Sequence, residues 1–209
     1  MTRTHRSLLA LALALALACG LASPAFAAEA GSWSFSLGAH VVDPSSGNGS
    51  LAGGTLEADV GSDWKPTITA EYFFTPNLGL EVLAALPFEH DISLNGAKAG
   101  STKHLPPTFT LQYHFDGGTV SPFIGAGVNY TLFFDQQTSG PLAGAELDLG
   151  NSWGLAAHAG VDFRLADNRA IRLDVRWMDI DTDVSVNGAD VGTVKIDPLV
   201  YGVAYVWNF

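Results

Sequence analysis

Seven charged side chains, Glu71, Glu81, Asp162, Arg164, Arg172, Asp174 and Arg176, occupy alternate positions within segments that are otherwise rich in apolar residues. Four carboxylates opposed to three guanidiniums can do one of two things. They can form a selectivity site or a proton-responsive gate, or they can neutralise one another as a static ion-pair plug. The plug is the favoured reading, because charges too costly to bury singly can be buried as mutual partners. Catalysis is checked separately, since a Ser–His pair needs a hydroxyl within reach of its base. His114 and His158 fall on the same side of their segments as the charges, beside Gln112, with no serine placed near either. His90 and His104 lie at the outer strand ends beside Glu89 and Asp91, where solvation in a loop is expected. No enzyme is expected. Asp179, Asp181, Asp183 and Asp190 echo a calcium loop, but Val184 stands at the glycine position and an Asp closes the run. An acidic loop is expected there, holding divalent ions only weakly, with no dedicated metal site and no cofactor. Gly125-Ala126-Gly127 is no phosphate cradle, since neither a helix nor a lysine follows it.

The elements that carry these residues alternate strictly. Trp33, Phe35, Leu37, Ala39 and Val41 alternate with Ser34, Ser36, Gly38 and His40. The same period runs through residues 78–88, 105–115, 124–134, 153–164 and 171–177, and two further segments near 65–74 and 195–209 complete eight. Such alternation means two different surroundings on the two faces of a strand. The connections decide what those surroundings are. Thr75-Pro76-Asn77, Asp116-Gly117-Gly118 and Ala166-Asp167-Asn168 are tight turns by composition. Between them lie long polar segments at about 43–64, 89–102, 135–151 and 179–194. Short and long connections taking turns is the layout of an all-β, eight-stranded antiparallel transmembrane β-barrel of up-and-down topology, with both chain ends in the periplasm. The last segment places Tyr201, Val203, Tyr205, Trp207 and the terminal Phe209 at every second position. A final outward aromatic of this kind resembles the signal by which the bacterial barrel-assembly machinery recognises its clients.

Composition agrees. The chain has 209 residues, 47% of them hydrophobic, and a formal charge of −11 with only ten Lys and Arg, which excludes an ordinary nucleic-acid binder. Residues 1–27 read as a signal peptide: Arg3 and Arg6, an apolar run to Ala18, and Ala25-Phe26-Ala27 at the cleavage site. Its removal takes away two Arg and no acid, so the formal charge moves from −11 to −13 over residues 28–209. Cys19 sits in a loose lipobox-like run, but the downstream site is better formed, and Cys19 is read as leaving with the signal peptide.

Parity also lists the outer half of the lumen: Leu83, Ala85, Pro87, Pro106, Thr108, Gly125, Gly127, Asn129 and Phe133. These small and apolar residues are expected to leave room for a small apolar ligand or a detergent, unless the long loops fold in and fill it. Pro87, Pro106 and Pro107 lie near the outer ends of the third and fourth strands and each removes a ladder donor. A lateral seam between those strands is expected, opening the lumen to lipid. The alternative is that the prolines only end the ladders.

Several runs are familiar as a set. Leu105-Pro106-Pro107-Thr108, Val128-Asn129-Tyr130-Thr131 with Phe133-Phe134-Asp135, Ser152-Trp153-Gly154, Met178-Asp179-Ile180-Asp181-Thr182, Glu81 through Phe88, and Ile196-Asp197-Pro198 strongly resemble the OmpW family of eight-stranded barrels, which includes AlkL-type relatives. The resemblance covers about residues 31–209. It implies an outer-membrane protein amid lipid and lipopolysaccharide, acting as a narrow channel for small apolar molecules, with release sideways into the membrane. The competing expectation is a plugged structural or receptor barrel whose outer loops bind partners.

Overall fold

The structure, a computed structural model, describes residues 28–115 and 117–209; the expectations for the signal peptide and Cys19 lie outside the described residues. Eight antiparallel strands form the wall: β1 Trp33–Asp43, β2 Asp63–Thr75, β3 Leu78–Ala85, β4 Thr108–His114, β5 Val120–Thr138, β6 Ser152–Ala166, β7 Arg169–Met178 and β8 Leu199–Asn208. Each pairs with the next, and β1 closes the ring on β8 through pairs such as Phe35 with Trp207. Closure leaves each of the eight strands with a neighbour on both sides among the described residues, which is what a sheet needs to stand in lipid.

The alternation sorts side chains in the reverse sense from a water-soluble domain. On β1, Trp33, Phe35, Leu37 and Val41 are exposed on the outer surface, whereas Ser34, Ser36 and His40 are buried in the lumen. Polar lumen residues then satisfy one another across strands; Ser36 Oγ lies 2.6 Å from Thr69 Oγ1. Outward apolar side chains lose nothing by this arrangement when lipid, not water, surrounds them.

The long connections are not irregular loops. Ser50–Leu51, Leu56–Val60, Phe88–Leu94 and Ala97–Leu105 are strands that extend the wall outward in that order, and the last of them pairs with the outer half of β5. Leu147–Leu149, Asp181–Val186 and Ala189–Lys195 make a second small sheet. β5 makes this possible: it runs for 19 residues, where about ten cross a membrane. Its inner part pairs with β4 from Phe123 to Asn129, and its outer part with residues 100–105 from Leu132 to Thr138. The uninterrupted strands expected over 78–88 and 105–115 are each broken, β3 ending at Ala85 and β4 beginning at Thr108. The physical reason is the missing N–H of Pro87, Pro106 and Pro107. The result is two stacked interiors, a polar lumen toward the periplasm and an apolar core under the outer strands.

Candidate functional site

The polar lumen is closed by one ion-paired network. Arg172 grips Asp162 with two hydrogen bonds, Nε at 2.8 Å and Nη2 at 2.9 Å, while its Nη1 donates to Glu81 at 2.9 Å. The same guanidinium lies 4.3 Å above the Phe123 ring and 3.7 Å from Glu71. One turn of the ladder outward, Arg176 sits 2.7 Å from the other Glu81 oxygen and 3.2 Å from Asp174. The Arg176–Glu81 contact is close but poorly angled, and both atoms lack a directed hydrogen bond. Asp174 then accepts from two imidazoles, His158 Nε2 and His40 Nε2, each at 3.1 Å. Gln112 donates to His158 Nδ1 at 2.8 Å, which fixes the proton of His158 on the nitrogen facing Asp174. His114 reaches Glu71 at 2.7 Å. Glycines make the space: a Cβ on Gly202 would lie 2.0 Å from His40 Nε2, and one on Gly79 would lie 2.4 Å from Glu71 Oε1.

Above this floor lies an apolar cavity of about 160 Å³ under the outer strands, walled by residues such as Leu51, Leu56, Leu94, Leu147, Val184 and Ile196. A cavity of about 150 Å³ stays dry when apolar and accepts a benzene-sized guest. Three polar side chains border it, His90, Thr102 and Thr182, and each is turned to a protein partner. Thr182 Oγ1 donates to Gly150 O at 2.7 Å, His90 Nδ1 lies 2.5 Å from Gly61 O, and Thr102 is directed at the Phe134 carbonyl. No unsatisfied polar group therefore projects into the space.

Between floor and cavity the wall has a gap. β3 and β4 pair from Leu78 with Tyr113 up to Leu83 with Thr108, and pairing resumes only at Phe88 with His104. Residues 84–87 and 105–107 face each other without a ladder hydrogen bond among the described residues. Each flank is held from its far side instead. Ala84 and Ala85 pair with β2, and the Leu86 amide donates to Pro66 O. On the other flank Tyr130 N donates to Pro107 O at 3.0 Å, and Asn129 Nδ2 donates to Pro106 O at 3.2 Å and to Thr108 Oγ1 at 2.9 Å.

The chain matches the profile of the OmpW family over residues 29–209. The chain belongs to the OmpW family. Outer membrane protein W of Vibrio cholerae serotype O1 is similar at 38% identity over 212 residues, covering 91% of this chain and 98% of that protein. Outer membrane protein AlkL of Ectopseudomonas oleovorans is similar at 28% identity, covering 85% of this chain and 83% of that one. Among solved structures, the crystal structure of OprG from Pseudomonas aeruginosa superposes with a TM-score of 0.77 at 34% identity, covering 88% of this chain and 99% of its own. This OmpW-family barrel is accordingly an outer-membrane protein.

The family fold places the sequence-derived residues unevenly. Glu71, Glu81, Asp162, Arg172, Asp174 and Arg176 meet in the network, but Arg164 does not: it lines a recess at the periplasmic end, which His114, Asp162 and Arg172 border from above, and it forms no ion pair among the described residues. Arg164 lies two residues below Asp162, near the periplasmic end of β6, where it is only half-buried. Of the outer lumen residues Leu83, Pro87, Thr108, Asn129 and Phe133, Phe133 alone borders the cavity. Leu83, Thr108 and Asn129 are packed solid beneath it. The space lies farther out because the connections fold into strands and enclose it. His90 and His104, expected in solvated loops, are both buried, since the 88–105 hairpin turns them inward with Phe88. His40 was missed as a network member, although its parity with Ser34 and Ser36 would have found it. The acidic run expected as a loop is, past Asp179, a β-hairpin of Asp181–Val186 and Ala189–Lys195, in which Asp181 pairs with Lys195 and Asp183 with Thr193. Asp179 and Asp181 approach Asp197 there.

Proposed function

We propose that this barrel admits small apolar molecules from outside the cell and passes them sideways into the membrane rather than through to the periplasm. The observation that carries the reading is the cavity: it is apolar on every side, sized for one small hydrocarbon, and its polar neighbours are all satisfied. A guest that must shed water gains from such a space, whereas a polar guest would find no partner. Below the cavity the ion-paired floor meets an apolar molecule with charged, imidazole and amide groups already bound to one another. The ladder gap at 84–87 and 105–107 lies at the level where outward residues change from Glu89 and Lys103 to Leu86 and Phe109, which is the edge of the lipid band.

The test uses the full chain in vesicles bearing lipopolysaccharide, with entry of the apolar dye 1-N-phenylnaphthylamine followed by fluorescence and ion conductance recorded in parallel. Entry of dye without steady conductance is expected. Replacing Pro87 and Pro106 together by Thr and Val restores two ladder donors and is expected to slow entry at least fivefold. Unchanged entry in that variant overturns the seam, and absence of dye entry in the native chain favours a plugged receptor.

A further inference from the structure

The cavity does not reach the gap. It ends on His90 and Phe133, and none of residues 84–87 or 105–107 borders it. Four rings in contact lie in the interval. Phe88, His104 and Phe133 form one row across three strands, as ladder partners Phe88 with His104 and His104 with Phe133. Their ring centres are 5.5 and 5.8 Å apart, and His90 lies tilted 4.8 Å from His104 and stacked 6.4 Å from Phe88. The septum hangs from the two strands that border the gap: His90 follows Pro87 by three residues, and His104 precedes Pro106 by two.

One hydrogen bond links the two imidazoles, Nε2 to Nε2 at 2.8 Å. The carbonyl of Gly61, 2.5 Å from His90 Nδ1, requires a proton on that nitrogen. His90 Nε2 is then the acceptor and His104 Nε2 the donor, which leaves His104 Nδ1 a bare acceptor, buried and without a partner. The arrangement is therefore built for a neutral pair. A second proton on each ring would set two N–H groups against each other at 2.8 Å and leave a buried cation on His104 with nothing to receive its new proton.

We propose that the His90–His104 pair is the latch of a gate between the apolar cavity and the lateral gap, and that acid outside the cell releases it. The proposal rests on the sideways route above and adds its control. Other charges around the pair do not cancel the effect. Asp63 and Lys65, from the start of β2, pair with each other beside His90. Glu89 and Asp91 on the same strand point outward, Asp91 to Lys98. Lys103, next to His104, pairs outward with Asp135 of β5 at 2.5 Å. Burial, reinforced by its imidazole neighbour, holds His104 down at about 3, and burial also lowers His90 against the pull of Gly61 O and Asp63. Both rings belong to the hairpin standing outside the lipid band. A histidine held low in the closed state favours closure fully above its ordinary value near 6.5, and that advantage fades as the pH falls. Each ring freed by opening shifts the open-to-closed ratio by up to tenfold per pH unit below that value.

The experiment has two readouts on the full chain. Ring nitrogen NMR with labelled histidine is expected to show at pH 7.5 one ring bare at Nε2 and one bare at Nδ1. On acidification to pH 4.5 both should become doubly protonated together, with the Phe88 and Phe133 ring signals moving at the same midpoint. In parallel, 1-N-phenylnaphthylamine entry is expected to rise more than tenfold between pH 7.5 and 5, and the ratio of the two rates should fall to about one in His90→Phe/His104→Phe, which keeps four rings and removes the protons. Dye entry that is equal at both pH values, or rings that stay neutral and stacked at pH 4.5, overturns the latch while leaving the apolar route standing. No dye entry at any pH, with the rings still separating in acid, overturns the route and leaves the latch as a conformational switch.

Discussion

Gly202 shows how tightly the lumen is fitted at the scale of one residue. Its missing side chain is the space occupied by the His40–Asp174 contact, so Gly202→Ala must displace a buried hydrogen-bonded pair. A loss of about 2–4 kcal/mol is expected, the range for overpacking plus broken buried polar contacts, read from urea unfolding in detergent. Arg172 is the more severe case. Among the described residues it alone pairs with Asp162, and it shares Glu81 and Glu71, so Arg172→Met strands buried carboxylates and is expected to cost about 3–5 kcal/mol in the same assay. If Arg172→Met unfolds at the native urea concentration, the network is not a unit. The identities of these charges are readable in the sequence because a charge at an inward position of a membrane strand needs a partner. Which acid each arginine takes is not readable, because Glu81 and Arg172 are 91 residues apart and meet only through barrel closure.

Elements obey a different logic. Period-two patterning assigns faces reliably along β1 or β7, where one side is continuously apolar. It fails in the hairpin 88–105, whose outward residues Glu89, Asp91 and Lys103 alternate with inward His90, Thr102 and His104, so both faces look polar. Such a strand reads as a loop, and the imidazole pair is hidden with it. A weaker signal is present in Asp181–Val186, where Thr182, Val184 and Val186 alternate with Asp181, Asp183 and Ser185, and Thr182 and Val184 are buried. Asn129 joins the elements at the gap by donating to Pro106 O, Pro107 O and Thr108 Oγ1. Asn129→Ala should free this flank of β4, costing about 1–3 kcal/mol for the stranded acceptors. Faster amide exchange at Tyr130, whose N–H bonds Pro107 O, checks it; unchanged exchange there would show that the backbone alone holds the flank.

At the scale of the whole molecule the charges divide by level. The four lysines of the described chain all lie in or beside the outer strands and each pairs with an aspartate, Lys65 with Asp63, Lys98 with Asp91, Lys103 with Asp135 and Lys195 with Asp181. The four arginines after residue 27 lie on β6 and β7, in the lumen or at its periplasmic end. Between these levels the outer surface is apolar, so Leu37→Arg, facing lipid beside Ile68, should cost about 2–4 kcal/mol in lipid vesicles. Loss of the same size in Ser34→Ala, on the inward face, would contradict the division. The sequence by itself determined the barrel, its strand count, its inside-out polarity and the set of charges that need burial, because alternation and turn chemistry are local and survive without tertiary contacts. Only the tertiary structure decided that the connections become strands, that the apolar space lies above the wall and not inside it, and that four rings separate it from the gap. Those features depend on residues far apart in the chain, such as Leu51, Leu94 and Val194, being brought to one place, and no local pattern records that meeting.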